Sequence, residues 1–298
     1  MGAKRGKKGK KGKKGKCRDA STKAAAHVRE AKRLKDQPGV ASEEVEAECR
    51  AAVAADPTHA DAHHYLGVLL ELERGDVDGA EAAYRAAVSA DPKHADAHTN
   101  LGALLETARG DVDGAEVAYR AAVAADPGYA PAHANLGVLL ETVRGDLDGA
   151  EAAHRAAVAA DPGYVHAHAN LGRLLELERG DLVGAEAAYR AAVAADPGHA
   201  PTHYHLGRLL EDARGDVDGA EAAYRAAISA DPGDVDAHTN LGLLLETARE
   251  DVDGAKAAYR AATAADPGCA RAHTRLASLR RSQRQCAGCG ACGVATRR

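Results

Sequence analysis

Seven histidines recur at one position of a regular pattern, and histidine is a common metal ligand. They are His63, His98, His133, His168, His203, His238 and His273. A structural zinc ion needs about four ligands at about 2 Å each. Each period of the pattern offers only one of these histidines, and packed helices lie about 8–10 Å apart. We therefore predict that the histidines pack between helices and bind no metal.

Three of the six cysteines form two overlapping Cys-x-x-Cys spacings near the end of the chain, at Cys286, Cys289 and Cys292. The run from Gln285 to Val294 resembles the opening of a MYND-type zinc finger, whose later cysteine and histidine ligands are absent here. The three thiols are weak metal candidates, with free reduced thiols as the alternative. No cofactor is predicted.

The chain contains no pattern typical of an active site. It has no phosphate-binding loop and no nucleophile elbow, and its few serines suggest no catalytic triad. It also lacks a run of about 18 apolar residues that would span a membrane and an apolar secretory signal. The sequence predicts a non-enzymatic protein of the cytoplasm, with the nucleus as an alternative.

The first 16 residues contain nine Lys or Arg and no acidic residue, although the whole chain has a net charge of −5. Such a run has nothing to bury and repels itself, so we predict a basic disordered tail over residues 1–21. Lysines of this kind can contact nucleic acid through its phosphates. A tail that only aids solubility is the alternative.

The dipeptide Asp-Pro returns every 35 residues, with its proline at Pro57, Pro92, Pro127, Pro162, Pro197, Pro232 and Pro267. Each period predicts two helices, which in the first unit run over residues 60–74 and 76–90. Apolar residues at i, i+3, i+4, i+7 and i+8 of the second helix form a stripe that must pack against neighbours. Gly75 suits a left-handed helix end, Asp76 or Asp78 can cap the second helix, and Pro92 ends it.

Large and small residues recur in a fixed order, as Leu66, Gly67, Ala80, Tyr84, Ala87 and Pro92 in the first unit. This order resembles the tetratricopeptide repeat signature, with His63 in place of the usual Trp and Leu70 in place of the usual Tyr. The resemblance implies an all-α fold, a right-handed superhelix (α-solenoid). The period exceeds the usual 34 residues by one, so we expect a longer first helix and an altered pitch.

The resemblance also implies an organisation of the chain. Six repeats cover residues 60–269, between an N-terminal helical cap (22–59) and a C-terminal capping helix (270–285), and a Cys-rich tail follows at 286–298. In this family the first helices line a concave groove, so residues on them are candidate ligand contacts.

Two columns of residues on the first helices stand out. The asparagines, which resemble the ladder in the repeat arm of O-GlcNAc transferases, are Asn100, Asn135, Asn170 and Asn240. The glutamates, which predict an acidic groove and a basic peptide ligand, are Glu71, Glu106, Glu141, Glu176, Glu211 and Glu246. An amide can bond both donor and acceptor groups of a peptide backbone. The alternatives are that the asparagines are repeat consensus and the glutamates a solvated face.

Residues that vary between repeats, such as Arg173, Tyr204 and Arg208, are candidate selectivity positions. Asn240, Arg271 and Arg275 partly resemble a clamp for a terminal carboxylate in chaperone-binding relatives, although the match is incomplete.

The sequence thus predicts a non-enzymatic scaffold that binds an extended protein segment. One alternative is a nucleic-acid-associated adaptor that uses the lysine-rich tail. The other is a truncated relative of an O-GlcNAc transferase or of a tetratricopeptide-MYND protein.

Overall fold

The structure, a computed structural model, describes residues 11–37 and 41–288. Fifteen α-helices and no strand occur in that part of the chain, which confirms the predicted all-α fold. The chain divides after Asp161 into two compact units, residues 1–161 and 162–298. Each unit is built from consecutive helical hairpins.

The first unit contains eight α-helices. They are α1 (Lys11–Lys35), α2 (Ser42–Ala55), α3 (Ala60–Leu69), α4 (Val77–Ala90), α5 (Ala95–Leu104), α6 (Val112–Ala125), α7 (Ala130–Leu139) and α8 (Leu147–Ala160). Helix α1 begins at Lys11, within the predicted tail of residues 1–21 and upstream of the predicted cap of residues 22–59. Residues 1–10, the first part of the predicted disordered tail, lie outside the described chain.

The second unit contains the other seven α-helices. They are α9 (Val165–Leu174), α10 (Leu182–Ala195), α11 (Ala200–Leu209), α12 (Val217–Ala230), α13 (Val235–Thr247), α14 (Val252–Ala265) and α15 (Ala270–Gly288). Helices α9, α11 and α13 are the first helices of the last three repeats, and α15 stands in the position of a seventh.

The first helix of each of the first five repeats ends in a π-helical turn. These turns are Leu70–Arg74, Leu105–Arg109, Leu140–Arg144, Leu175–Arg179 and Leu210–Arg214. A π turn takes up one residue more than an α turn. The residue that makes the period 35 rather than 34 is therefore absorbed as a wider last turn. The sequence led us to expect a longer first helix, and the structure shows that the additional length is π-helical.

A left-handed glycine closes this turn. Gly75 has φ 63°, and the next amide, Asp76 N–H, donates to the Leu70 carbonyl at 2.9 Å. The Asp76 side chain then accepts from Gly79 N–H at 2.9 Å. Of the two predicted capping residues, Asp76 is therefore the one that caps α4. The same aspartate position caps the second helix of every later repeat.

The sixth repeat departs from this turn because Glu250 occupies the glycine position. Glu250 has φ 56°, and among the described residues it is the one non-glycine with a positive φ. A side chain in this conformation places Cβ too close to the following carbonyl, at a cost of roughly 1–2 kcal/mol.

Replacing Glu250 with glycine is therefore expected to raise the free energy of unfolding by about 1 kcal/mol. The check is the midpoint of guanidinium unfolding. Glu250→Ala is the control, because it removes the carboxylate but keeps Cβ. An equal gain from both variants would mean that charge rather than backbone strain is responsible.

One ring per repeat fills the core of each hairpin. The rings are Tyr84, Tyr119, His154, Tyr189, Tyr224 and Tyr259, all buried to 1% exposure or less. Each ring lies under the glycine of the Leu-Gly pair in the preceding helix, and a Cβ built on Gly102 would lie 2.7 Å from Tyr119 Cε1. Small and large residues thus match across the hairpin.

The seven column histidines bond the turns that precede them. Each Nε2–H donates to the carbonyl of the proline six residues earlier, at 2.9–3.1 Å. The histidines therefore attach every first helix to its Asp-Pro turn, a more specific role than the predicted packing. With this bond in place, Nε2 has no lone pair for a metal ion.

Candidate functional site

The glutamate column is bonded to the buried rings. Tyr119 O–H donates to Glu106 Oε2 at 2.9 Å. The same bond joins the Tyr and Glu of four other repeats, at 2.6–2.8 Å. Burial, and then the neighbouring carboxylate, raise the pKa of these tyrosines well above the usual range, so the phenols stay protonated donors. The glutamates of these five repeats thus have a structural role, and their role in binding stays a prediction.

The third repeat replaces this tyrosine with His154. The His154 side chain is fully buried, and its Nε2 lies 3.7 Å from Glu141 Oε2. Glu141 is in turn 9% exposed and the most buried glutamate of the column. An imidazole is shorter than a phenol, so it contacts the carboxylate at a longer distance. This repeat therefore lacks the short bond that the five tyrosines make.

The asparagine column divides into two kinds. Asn100 Nδ2–H donates to His64 Nε2 at 2.9 Å, and Asn240 Nδ2–H donates to the Tyr204 hydroxyl at 3.3 Å. In both cases the partner lies 36 residues earlier, one repeat before. Asn135 and Asn170 are half-buried, and neither amide bonds another described side chain or carbonyl. These two amides are open to a ligand.

His64 is a half-buried base whose protonation makes stability depend on pH. Burial, and then repulsion from His94, lower its pKa to about 4. The two rings lie 4.9 Å apart between centroids. Above pH 6.5, the usual pKa of histidine, this side chain is neutral in both the folded and the unfolded chain and does not change the stability. The unfolded chain binds more protons between about 6.5 and about 4, so stability falls as the pH falls through that window.

The variant His64→Thr is expected to remove part of that loss. Threonine stands at this position in two other repeats, as Thr99 and Thr239. Between pH 7 and pH 4 the wild type should lose on the order of 2 kcal/mol more unfolding free energy than the variant. Urea unfolding at several pH values measures the difference, and parallel curves for the two proteins would contradict it.

The second unit brings several candidate residues to one pocket. Its volume is about 190 Å³, and its polar lining includes Tyr204, Arg208, Glu211, Asp212, Asn240 and Arg271. Four of these residues were candidates for peptide binding, and Arg271 belonged to the partial carboxylate clamp. Arg275, the other arginine of that clamp, instead lies 3.8 Å from Glu246 Oε1. Arg173 is half-buried in α9.

Asp212 was missed in the sequence. The signal for it is visible, because the same position holds Leu72, Thr107, Thr142, Leu177 and Thr247 in the other repeats. A carboxylate appears there only in the fifth repeat. Comparing this position between repeats would have identified Asp212 as a candidate. It was not singled out because it directly follows a residue of the glutamate column.

No group of three or more His, Cys, Asp or Glu residues in the described part of the chain is arranged to hold a metal ion. Cys49 is buried, and burial raises the pKa of its thiol to about 11. The weak metal candidates Cys289 and Cys292 lie outside the described residues, and of Cys286 only the backbone is described. The resemblance of this tail to a MYND-type finger therefore stays a prediction.

The nucleic-acid alternative stays a prediction as well, because the side chains of residues 1–18 are not described. Within the described helices, none is long and apolar enough to cross a membrane.

Comparisons with solved structures show similarity to several helical repeat proteins. Pseudomonas aeruginosa pilF has a TM-score of 0.63 and 23% identity over 75% of this chain and 98% of that chain. The type IV pilus biogenesis factor PilW has a TM-score of 0.60 and 22% identity over 73% and 98%. YrrB, a tetratricopeptide protein with an unusual peptide-binding site, has a TM-score of 0.51 and 21% identity over 65% and 98%. These likenesses show the fold.

No curated protein sequence matches the chain significantly. A tetratricopeptide repeat family model matches residues 65–130, 132–200 and 247–285, which is more than half of the chain. A second tetratricopeptide model matches residues 176–238. The matched segments contain the hairpins, the buried rings and most of the column residues described above. The chain therefore belongs to the tetratricopeptide repeat family.

Proposed function

We propose that the protein is a non-enzymatic scaffold that binds an extended segment of another protein along the first helices of its repeats. The observation that carries this proposal is made once in each unit: the half-buried amides of Asn135 in the first unit and Asn170 in the second bond no described residue. Because these amides are partly exposed, a ligand can reach them and replace the water that solvates them. A peptide backbone offers both the donor and the acceptor that an amide can satisfy.

Further support comes from the surroundings of these amides. The asparagines resemble the ladder of O-GlcNAc transferase repeat arms, and YrrB, which shares the fold, has a peptide-binding site. In the first unit, α3, α5 and α7 contain Asp61 and Asp96 and no Lys or Arg. Together with the glutamate column, this composition favours a basic segment there.

The test uses the full chain and immobilised random peptides with amidated C-termini. The double variant Asn135→Ala, Asn170→Ala is expected to bind the selected peptides at least about tenfold more weakly, since each lost hydrogen bond is worth about 0.5–1.5 kcal/mol. The matched control is Ser89→Ala, Ser229→Ala, which changes exposed polar residues on second helices. Equal affinity of all three proteins, or no peptide retained by the wild type, would reject the proposal.

A further inference from the structure

The pocket of the second unit is built from residues that break the repeat pattern. Tyr204, Arg208 and Asp212 lie four residues apart, so they share one face of the helix. The position of Tyr204 is Ala134 or Ala169 in two other repeats. Arg208 shares its position with Arg173 of the fourth repeat, whereas Tyr and Asp occur at the other two positions in the fifth repeat alone. The combination of the three side chains therefore distinguishes this surface from the others.

Arg271 reverses the charge of its own column. The same position in the repeats is an aspartate at Asp61, Asp96 and Asp236. In α15 it becomes an exposed arginine that lines the pocket opposite α11. The pocket therefore has a positive side that the corresponding surface of the earlier repeats lacks.

Two of the charged side chains in the pocket already have partners, one an ion pair and the other a hydrogen bond from a neutral phenol. Arg208 NH2 donates to Glu176 Oε1 at 3.3 Å, and Glu211 Oε2 accepts from Tyr224 O–H at 2.7 Å. Arg271 and Asp212 take part in no ion pair or side-chain hydrogen bond with any described residue. One cation and one anion thus face the same small space without partners.

The size of the pocket limits what can fill both sites. At about 190 Å³ it is smaller than the roughly 300–1,000 Å³ of sites for small molecules, so it suits a few side-chain groups of a longer ligand. The Tyr204 hydroxyl already accepts a bond from Asn240, so its own proton is available to a ligand acceptor. The polar lining therefore matches a ligand that has both charge signs.

We propose that this pocket selects an acidic and a basic side chain placed close together in the bound segment. Arg271 binds the carboxylate, with Tyr204 as a second donor, and Asp212 binds the ammonium or guanidinium group. A carboxylate alone would leave Asp212 unpaired, so a basic side chain is part of the selected pair. This inference rests on the proposed function and names the specificity of the second unit. There, Arg208 and Arg271 oppose the preference for basic segments that we propose for the first unit.

The experiment uses the full chain and libraries of C-terminally amidated peptides. Each library has two fixed positions, one residue apart, and all other positions are random. The fixed positions hold an acid and a base in either order, which gives the two mixed libraries. In the other three libraries they hold two acids, two bases or two alanines. Wild-type protein is expected to retain one of the two mixed libraries about tenfold better than the two-base library. Arg271→Glu is expected to shift the preference to two bases, and Asp212→Lys to two acids.

The control variants are Arg280→Glu and Glu178→Lys, which reverse exposed charges of the same unit outside the pocket and should leave the preference unchanged. Arg271→Ala and Asp212→Ala serve as milder variants, which should weaken the preference without reversing it. Binding by the wild type with no preference among the libraries, or a preference that the pocket variants do not alter, overturns the inference and leaves the proposed function standing. The same libraries are also made with free C-termini, and retention of only these unamidated libraries overturns the inference as well. Retention of no library contradicts both.

Discussion

Exchanging the core ring between repeats is expected to change stability in opposite directions. Tyr119→His should lower the free energy of unfolding by about 2–3 kcal/mol, because it removes ring volume from a packed core and the short bond to Glu106. His154→Tyr should raise it by about 1–2 kcal/mol, because the phenol restores the Tyr–Glu hydrogen bond that joins the two helices of the hairpin in the other five repeats.

Urea unfolding of the two variants measures both changes. Tyr119→Phe separates the causes, since it keeps the ring and removes only the hydroxyl, and it should cost about 1–2 kcal/mol. A Phe variant as unstable as the His variant would assign the whole effect to the hydrogen bond. A destabilised His154→Tyr protein would show that the third repeat has no room for the phenol, contrary to the similar ring clearances at Gly102 and Gly137.

Adding a single methyl group at Gly102 should also be strongly destabilising. Its Cβ would lie 2.7 Å from Tyr119 Cε1 and 2.8 Å from Cδ1, inside contact distance, and the ring is enclosed by the hairpin. Overpacking of this kind typically costs about 1–3 kcal/mol, and we expect Gly102→Ala to fall near the upper end, at about 3 kcal/mol.

A double-mutant cycle tests whether the ring causes this loss. In a Tyr119→Ala background, Gly102→Ala should be neutral or stabilising by about 1 kcal/mol, because alanine is the better helix former once the ring is gone. The sign of the glycine substitution should therefore reverse between the two backgrounds. The same loss in both would place the cause in the backbone rather than in the contact with Tyr119.

The repeat architecture could be predicted because its signals are local. Asp-Pro spacing, the apolar stripe of the second helix, and the Gly75 and Asp76 end signals act over a few residues, so they determine helix type and approximate bounds without knowledge of neighbours. The π-helical turn was not predicted. A 35-residue period shows that one residue is additional but not how the chain absorbs it. Five repeats have a π-helical turn at the end of the first helix, and the sixth, with Glu250 at the glycine position, does not.

The candidate site was predicted only in part, for a physical reason. The residue types and columns come from the sequence, which was enough to name Asn135, Tyr204 and Arg208 as candidates. Whether a side chain is open to a ligand depends on contacts across the hairpin or between repeats. Glu106 is bonded by a tyrosine 13 residues later, and Asn100 by a histidine 36 residues earlier.

Sequence alone therefore determined the family, the helices and the set of polar residues on the first helices. Tertiary structure decided which of those residues stabilise the fold and which are open to a partner. The difference arises because a helix follows from interactions within a few residues. Whether a charged group or an amide has a partner within the protein depends on how helices that are distant in sequence pack against each other.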